Sequence, residues 1–170
     1  MAGLPPSESS PSGSPSDGSA APARRPSFKV RVLHVEDNPI DVELVRQNLR
    51  RGGFDVEAVV VRSTRECESM LEREKFDLVI SDYTLPRGNG LEVLATVRKK
   101  NAEIPFIIVS GSLGEEIAVD ALKQGATDYI LKDRLSRIPG AVRRALEDAR
   151  DRARARELEA QLIQAQKMEA

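Results

Sequence analysis

Tryptophan is absent from the 170 residues, aromatic residues make up only 4%, and Cys67 is the single cysteine. The core must therefore be built from Val, Ile, Leu and Ala, and neither an internal disulfide nor a cysteine-rich zinc site can form. His34 is the one histidine, which leaves a histidine relay or metal site without a second member. No apolar run approaches the roughly 18 residues that a membrane span needs. An excess of one charge is missing too. Lys and Arg number 26 against 27 Asp and Glu, a formal net charge of -1, so nothing pulls the chain as a whole toward nucleic acid or an anionic membrane. What is present is ordinary for a globular protein, with 40% hydrophobic and 31% charged residues.

The composition changes along the chain. Of residues 1–27, 21 are Ser, Pro, Ala or Gly, with one Leu and no aromatic residue. Such a segment buries too little apolar surface to offset its ordering entropy, so a disordered tail is expected. Arg24-Arg25 has the paired arginines of an export signal, but Lys29, Arg31, His34 and Glu36 come next where an uncharged apolar core is needed. From residue 28 short β-rich runs appear at 30–35, 56–61, 78–81, 106–110 and 129–131. Amphipathic stretches lie between them with recognisable start signals. Asn38-Pro39 supplies an N-cap and a proline for the first helical turn, and Gly52-Gly53 ends that helix. Ser63 with Glu66, and Ser112 with Glu115, read as capping boxes. A helix is also expected over 90–100, and Gly125 closes the one before the last strand.

The order βαβαβαβαβα implies a parallel sheet with right-handed crossovers and helices on both faces. The expected fold class is α/β, a doubly wound five-stranded sheet in the flavodoxin-like order 2-1-3-4-5, with the domain over residues 28–147. Pro139 opens a long polar helix, and residues 148–170 form its extension. Leu158, Leu162 and Ala165 make an apolar stripe with 4-then-3 spacing, the pattern of a coiled coil, so a homodimer through this helix is expected. Its seven basic and six acidic residues after position 140 alternate in sign, which fits a solvated face and argues against a nucleic-acid patch.

Open α/β sheets place their sites beyond the carboxyl ends of the strands. The polar residues that close the apolar runs are Glu36-Asp37 after the first, Asp82 at the third, Ser110-Gly111 at the fourth and Lys132 at the fifth. Three carboxylates on one rim repel unless a cation neutralises them, and an all-oxygen set suits Mg²⁺. A carboxylate can also act as nucleophile toward phosphorus. Cys67 falls on an apolar helical stripe and is expected to be a buried hydrophobe. His34 lies within the first strand and is expected to be structural.

These residues closely resemble the receiver domain of bacterial two-component response regulators. The matching strings are VLHVEDNP (32–39), LVISDYTLPRGNG (78–90), FIIVSGS (106–112) and GATDYILKD (125–133), within about residues 29–147. The resemblance implies that Asp82 is the phosphoacceptor, with Glu36 and Asp37 as Mg²⁺ ligands and Thr84 lending its backbone carbonyl. It implies that Ser110 and Lys132 contact the phosphoryl group, that Tyr129 changes packing with Ser110, and that small Gly111 leaves the entrance open. The implied partner is a histidine kinase or phosphotransfer protein, in a bacterial cytoplasm. Two positions depart from the family: Asp133 stands where proline commonly follows the lysine, and Asn89 replaces a frequent acid. LEAQLIQAQKMEA (158–170) is similar to the segment just before the phosphorylated histidine of sensor kinases. That second resemblance leaves open a piece of a hybrid histidine kinase or a free-standing regulator, and with it whether the protein is an enzyme.

Three other readings compete. An aspartyl phosphatase of similar fold has a D-x-D pattern, whereas Tyr83-Thr84 come after Asp82. A flavin-phosphate binder needs backbone donors after the first strand, where Glu36-Asp37 would repel the anion. A receiver-like interaction module without phosphorylation has no use for the intact five-residue set.

Overall fold

The computed structural model describes residues 27–111 and 114–169. Strands β1 (Phe28–Val35), β2 (Phe54–Val61) and β3 (Leu78–Asp82) alternate with helices α1 (Pro39–Arg51) and α2 (Thr64–Arg73). Two short strands, β4 (Thr84–Leu85) and β5 (Gly88–Asn89), then precede α3 (Gly90–Lys100). They are followed by β6 (Phe106–Ser110), α4 (Glu115–Lys123), β7 (Asp128–Leu131), a 3-10 segment over Lys132–Arg137 and α5 (Ile138–Glu169). All but β4 and β5 join one five-stranded sheet in the order β2-β1-β3-β6-β7, and every pair in it is parallel. That is the doubly wound arrangement expected, with the two-residue antiparallel hairpin β4-β5 added.

Period-two alternation splits the core between the two sheet faces. Val30 and Val32 of β1 join Val45 and Leu49 of α1 and Ile138, Ala141 and Val142 of α5 on one face. Leu33 and Val35 face the other way, onto Cys67 of α2, Val93, Leu94 and Val97 of α3 and Ala121 of α4. The central strands β3 and β6 are buried along their whole length, as strands covered on both faces must be. Cys67 is fully buried and burial pushes its thiol up to about 12, so it is the packing residue the sequence implied.

The local start signals hold where they can be seen. Asn38 Oδ1 accepts from Ile40 N at 3.0 Å, ahead of Pro39. Ser63 Oγ accepts from Glu66 N at 3.2 Å while the Glu66 carboxylate accepts from Arg62 N at 2.9 Å. The Ser112 cap is a correction: α4 starts at Glu115 with Gly114 as its N-cap, and Ser112 itself lies outside the described residues. Residues 1–26 of the expected tail also lie outside them. After Lys132 the chain turns through the 3-10 segment, with Arg134 at non-helical angles and no cis peptide; Asp133 is accommodated there in a tight turn.

Helix α5 is continuous for 32 residues across the expected boundary at 147/148. Ala141, Val142 and Ala145 are buried, Leu146 and Ala149 half-buried, and every described residue from Arg150 on is exposed, Leu158, Leu162, Ile163 and Met168 included. The helix is not wholly free there, because Arg156 pairs with Glu103 in the α3–β6 connection. No helix among the described residues is long and apolar enough to cross a membrane.

Candidate functional site

The sheet order reverses between β1 and β3, with α1 on one face and α2 on the other, and this is where the acidic side chains meet. Glu36 follows β1 and is 2% exposed; Asp82 ends β3 and is 6% exposed. Together with exposed Asp37 they bring carboxylate oxygens within 4.8 Å of one another. Glu36 is oriented by Asn38 N, which donates to its Oε1 at 3.0 Å. Asp82 is oriented by Thr84 N, which donates to its Oδ1 at 3.3 Å. Burial raises the Glu36 carboxyl to about 7; the Asn38 N–H opposes this, the Asp82 charge adds to it, and the Lys132 charge opposes it.

Lys132 reaches this cluster from the far edge of the sheet, where it follows β7. Its Nζ donates to Asp41 Oδ2 at 2.7 Å and Asp82 Oδ2 at 3.0 Å, and lies 3.5 Å from Glu36 Oε2. Burial works against its charge, but the hydrogen bonds to Asp41 and Asp82 and the fields of Glu36 and Asp82 outweigh it, so the ammonium is held more firmly protonated than in water. Asp41 is the member that sequence reasoning missed. It sits in the first turn of α1, where an acid already has a reason to be, opposite the helix dipole.

Ser110 is buried at the end of β6, in register with Leu131, and Tyr129 lies on β7 opposite Ile108. Tyr129 packs against the α2–α3–α4 side of the core, and its hydroxyl is enclosed with no hydrogen-bond partner among the described residues. Gly111 is open, since a Cβ there would meet nothing within 4 Å. Asn89, the departure from an acid, caps α3: its Oδ1 accepts from Leu91 N at 2.9 Å and Glu92 N at 3.1 Å. Gly90 lets that helix start against the strand end, because a Cβ would lie 2.8 Å from the Asp82 carbonyl oxygen. A cleft of about 540 Å³ lies between Arg62–Glu66 and Leu85–Gly88, and none of Glu36, Asp37, Asp82 or Lys132 lines it.

The donor set fits a divalent cation. Three carboxylates are converged, two of them (Glu36 and Asp82) held by hydrogen bonds, and Glu36 carries a raised pKa that a cation would lower. Two nearly buried carboxylates, an exposed third and an ammonium held by hydrogen bonds are thus gathered at the switch point of a doubly wound sheet.

A family model described as the response regulator receiver domain matches residues 32–143. The chain belongs to that family. It is 31% identical over 102 residues to the response regulator protein PilR of Pseudomonas aeruginosa, covering 60% of this chain and 22% of that protein. The response regulator receiver domain protein of Methanospirillum hungatei superposes with a TM-score of 0.63 at 28% identity, covering 74% of this chain and 99% of that one. The phosphorylated cyanobacterial phytochrome response regulator RcpA gives 0.57 at 27% identity, covering 67% and 89%. The chain thus spans about a fifth of the length of PilR, and the receiver is the part they share.

Proposed function

We propose that this receiver takes a phosphoryl group onto Asp82 from a histidine kinase or phosphotransfer protein, and relays it as a change of conformation. The observation that carries this is the geometry at β3: a buried, oriented carboxylate with an ammonium at 3.0 Å and two further acids within 4.8 Å. A carboxylate oxygen of Asp82 attacks phosphorus, the P–N bond of a phosphohistidine breaks, and the imidazole nitrogen keeps the bonding pair and gains a proton. Lys132 pairs with an oxygen of the incoming group, and Ser110 supplies a hydroxyl beside it. Glu36, Asp37, Asp82 and the Thr84 carbonyl would hold Mg²⁺. When bound there, the ion supplies positive charge that offsets the charge on the transferred oxygens. RcpA, solved in its phosphorylated form, supports this assignment.

Tyr129 is the proposed second half of the switch. Enclosing a hydroxyl without a partner costs about 1–3 kcal/mol, so the packed state of Tyr129 is held under tension that a phosphoryl group drawing in Ser110 can offset. The exposed stripe of α5 supports a homodimer, and its likeness to a kinase linker supports a place ahead of a phosphotransfer domain in a hybrid kinase. A bacterial cytoplasmic setting, without nucleic acid or membrane as direct partner, completes the reading.

Intact-mass analysis with acetyl phosphate and Mg²⁺ tests the central step. One added phosphoryl group is expected, lost on chelation and in Asp82→Asn. Labelling that persists in Asp82→Asn would overturn the assignment.

A further inference from the structure

Lys132 and the acids it serves are far apart in the architecture. The lysine leaves the last strand at one edge of the sheet, and its targets sit after β1 and at the end of β3, across β6. A four-carbon side chain with an ammonium tip has rotamer entropy to lose before it is useful at one place. Its shortest contact is not with the phosphoacceptor but with Asp41, at 2.7 Å against 3.0 Å. Asp41 stands apart from the converged acids, which are Glu36, Asp37 and Asp82 among the described residues. It sits on α1, whose start is fixed by the Asn38 cap and Pro39. Among the described residues the site therefore has three converged carboxylates and a fourth, Asp41, whose one side-chain hydrogen bond is to the ammonium.

We propose that Asp41 is a positioning residue for phosphoryl transfer: it anchors the Lys132 ammonium from the α1 side, so that Nζ is already in place when Asp82 is attacked or becomes esterified. One oxygen of Asp82 changes character on phosphorylation, and the ammonium must move from the carboxylate to a phosphoryl oxygen. The Asp41 contact is the one that need not change during that move. Holding the ammonium beforehand removes its ordering entropy from the transfer step. The inference rests on Asp82 being the phosphoacceptor.

The test is a double-mutant cycle on the full chain, with acetyl phosphate and Mg²⁺ and the initial rate of phosphoryl incorporation as readout. Wild type, Asp41→Asn, Lys132→Ala and the double variant are compared. A charge-assisted hydrogen bond that is partly exposed corresponds to about tenfold in rate, so Asp41→Asn should be slower by about that factor. In the Lys132→Ala background the same change should have no effect, because its route of action is gone. Asp41→Glu, which keeps the charge, should recover part of the rate. A second readout needs no activity. The Lys132 ammonium protons exchange slowly while paired, so their ¹⁵N-correlated signal should be present in the wild type and broadened in Asp41→Asn. If the wild type takes no phosphoryl group, the phosphoacceptor reading has failed. If it does, but Asp41→Asn matches or exceeds its rate, or slows the Lys132→Ala background equally, the positioning role is refuted. An unchanged ammonium signal in Asp41→Asn refutes it as well.

Discussion

His34 offers a direct measurement of how dry the α1 side of the sheet is beneath the site. Its side chain is buried on β1 among Val32, Val42, Val45, Arg46, Leu49, Val56 and Ala58. Burial first, then the positive charges of Lys132 and Arg46, lower its pKa from 6.5 to about 4, with Asp41 opposing. The folded protein thus keeps His34 neutral where the unfolded chain binds a proton. The stability this represents is present above pH 6.5 and is lost as pH falls toward 4. At about 1.4 kcal/mol per pH unit between those values the full loss is about 3 kcal/mol, of which about 2 kcal/mol has developed by pH 5. Glu36 acts in the opposite sense over the overlapping window, because its folded pKa is raised; the wild-type curve alone would hide the histidine. Comparison with His34→Leu removes that cancellation, since Glu36 is common to both chains. Urea unfolding at pH 7.5 should give stabilities within about 1 kcal/mol of each other. At pH 5 the leucine variant should have gained about 2 kcal/mol relative to wild type. Stability curves that run parallel from pH 7.5 to 5 would refute the dry, cation-facing site assigned to His34.

Other perturbations test the remaining parts. Lys132→Ala removes the counter-ion of two carboxylates that are almost fully buried; without divalent cation it should cost about 2 kcal/mol by chemical denaturation, and millimolar Mg²⁺ should restore much of that. A wild-type stability for the variant in chelator would contradict the ion-pair network. Tyr129→Phe deletes an enclosed hydroxyl without a hydrogen-bond partner among the described residues, so thermal unfolding should shift upward by the equivalent of about 1 kcal/mol or more. A clear loss would mean the hydroxyl is satisfied. Cutting the chain after Arg150 removes the exposed part of α5; sedimentation should show a monomer where the full chain self-associates, with Asp82 labelling intact, and equal association of the two would end the coiled-coil reading.

The sequence was most informative where physics is local. The apolar runs, the Asn38-Pro39 and Ser63–Glu66 start signals and the acids at strand ends each depend on a few neighbouring residues, and each was legible. The order of strands was legible too, because parallel pairing with right-handed crossovers leaves few alternatives. What escaped was tertiary. The Asp41–Lys132 contact joins residues 91 apart, and an acid in a helix's first turn does not announce a distant partner. Asn89 stands where the family has a frequent acid, and nothing in that replacement told that its amide oxygen caps α3 through two N–H donors. The β4-β5 hairpin is only two residues per strand, too short for any periodicity to show. The Arg156–Glu103 pair was hidden in a run of alternating charges that reads equally well as solvated.

The ammonium that serves the site and the longest helix of the molecule are parts of one short stretch of chain. Lys132 opens the 3-10 segment and Ile138 begins α5 at its end. In mechanical language, the site sits at the root of a lever. A helix of 32 residues is about 48 Å long, and a tilt of about 5° at its base carries the tip by about 4 Å. The Arg156–Glu103 pair acts as a rest part-way along that arm. An exposed pair of this kind holds with no more than about 1 kcal/mol, so a tilt at the root would carry the exposed stripe of Leu158, Leu162 and Ile163 with it.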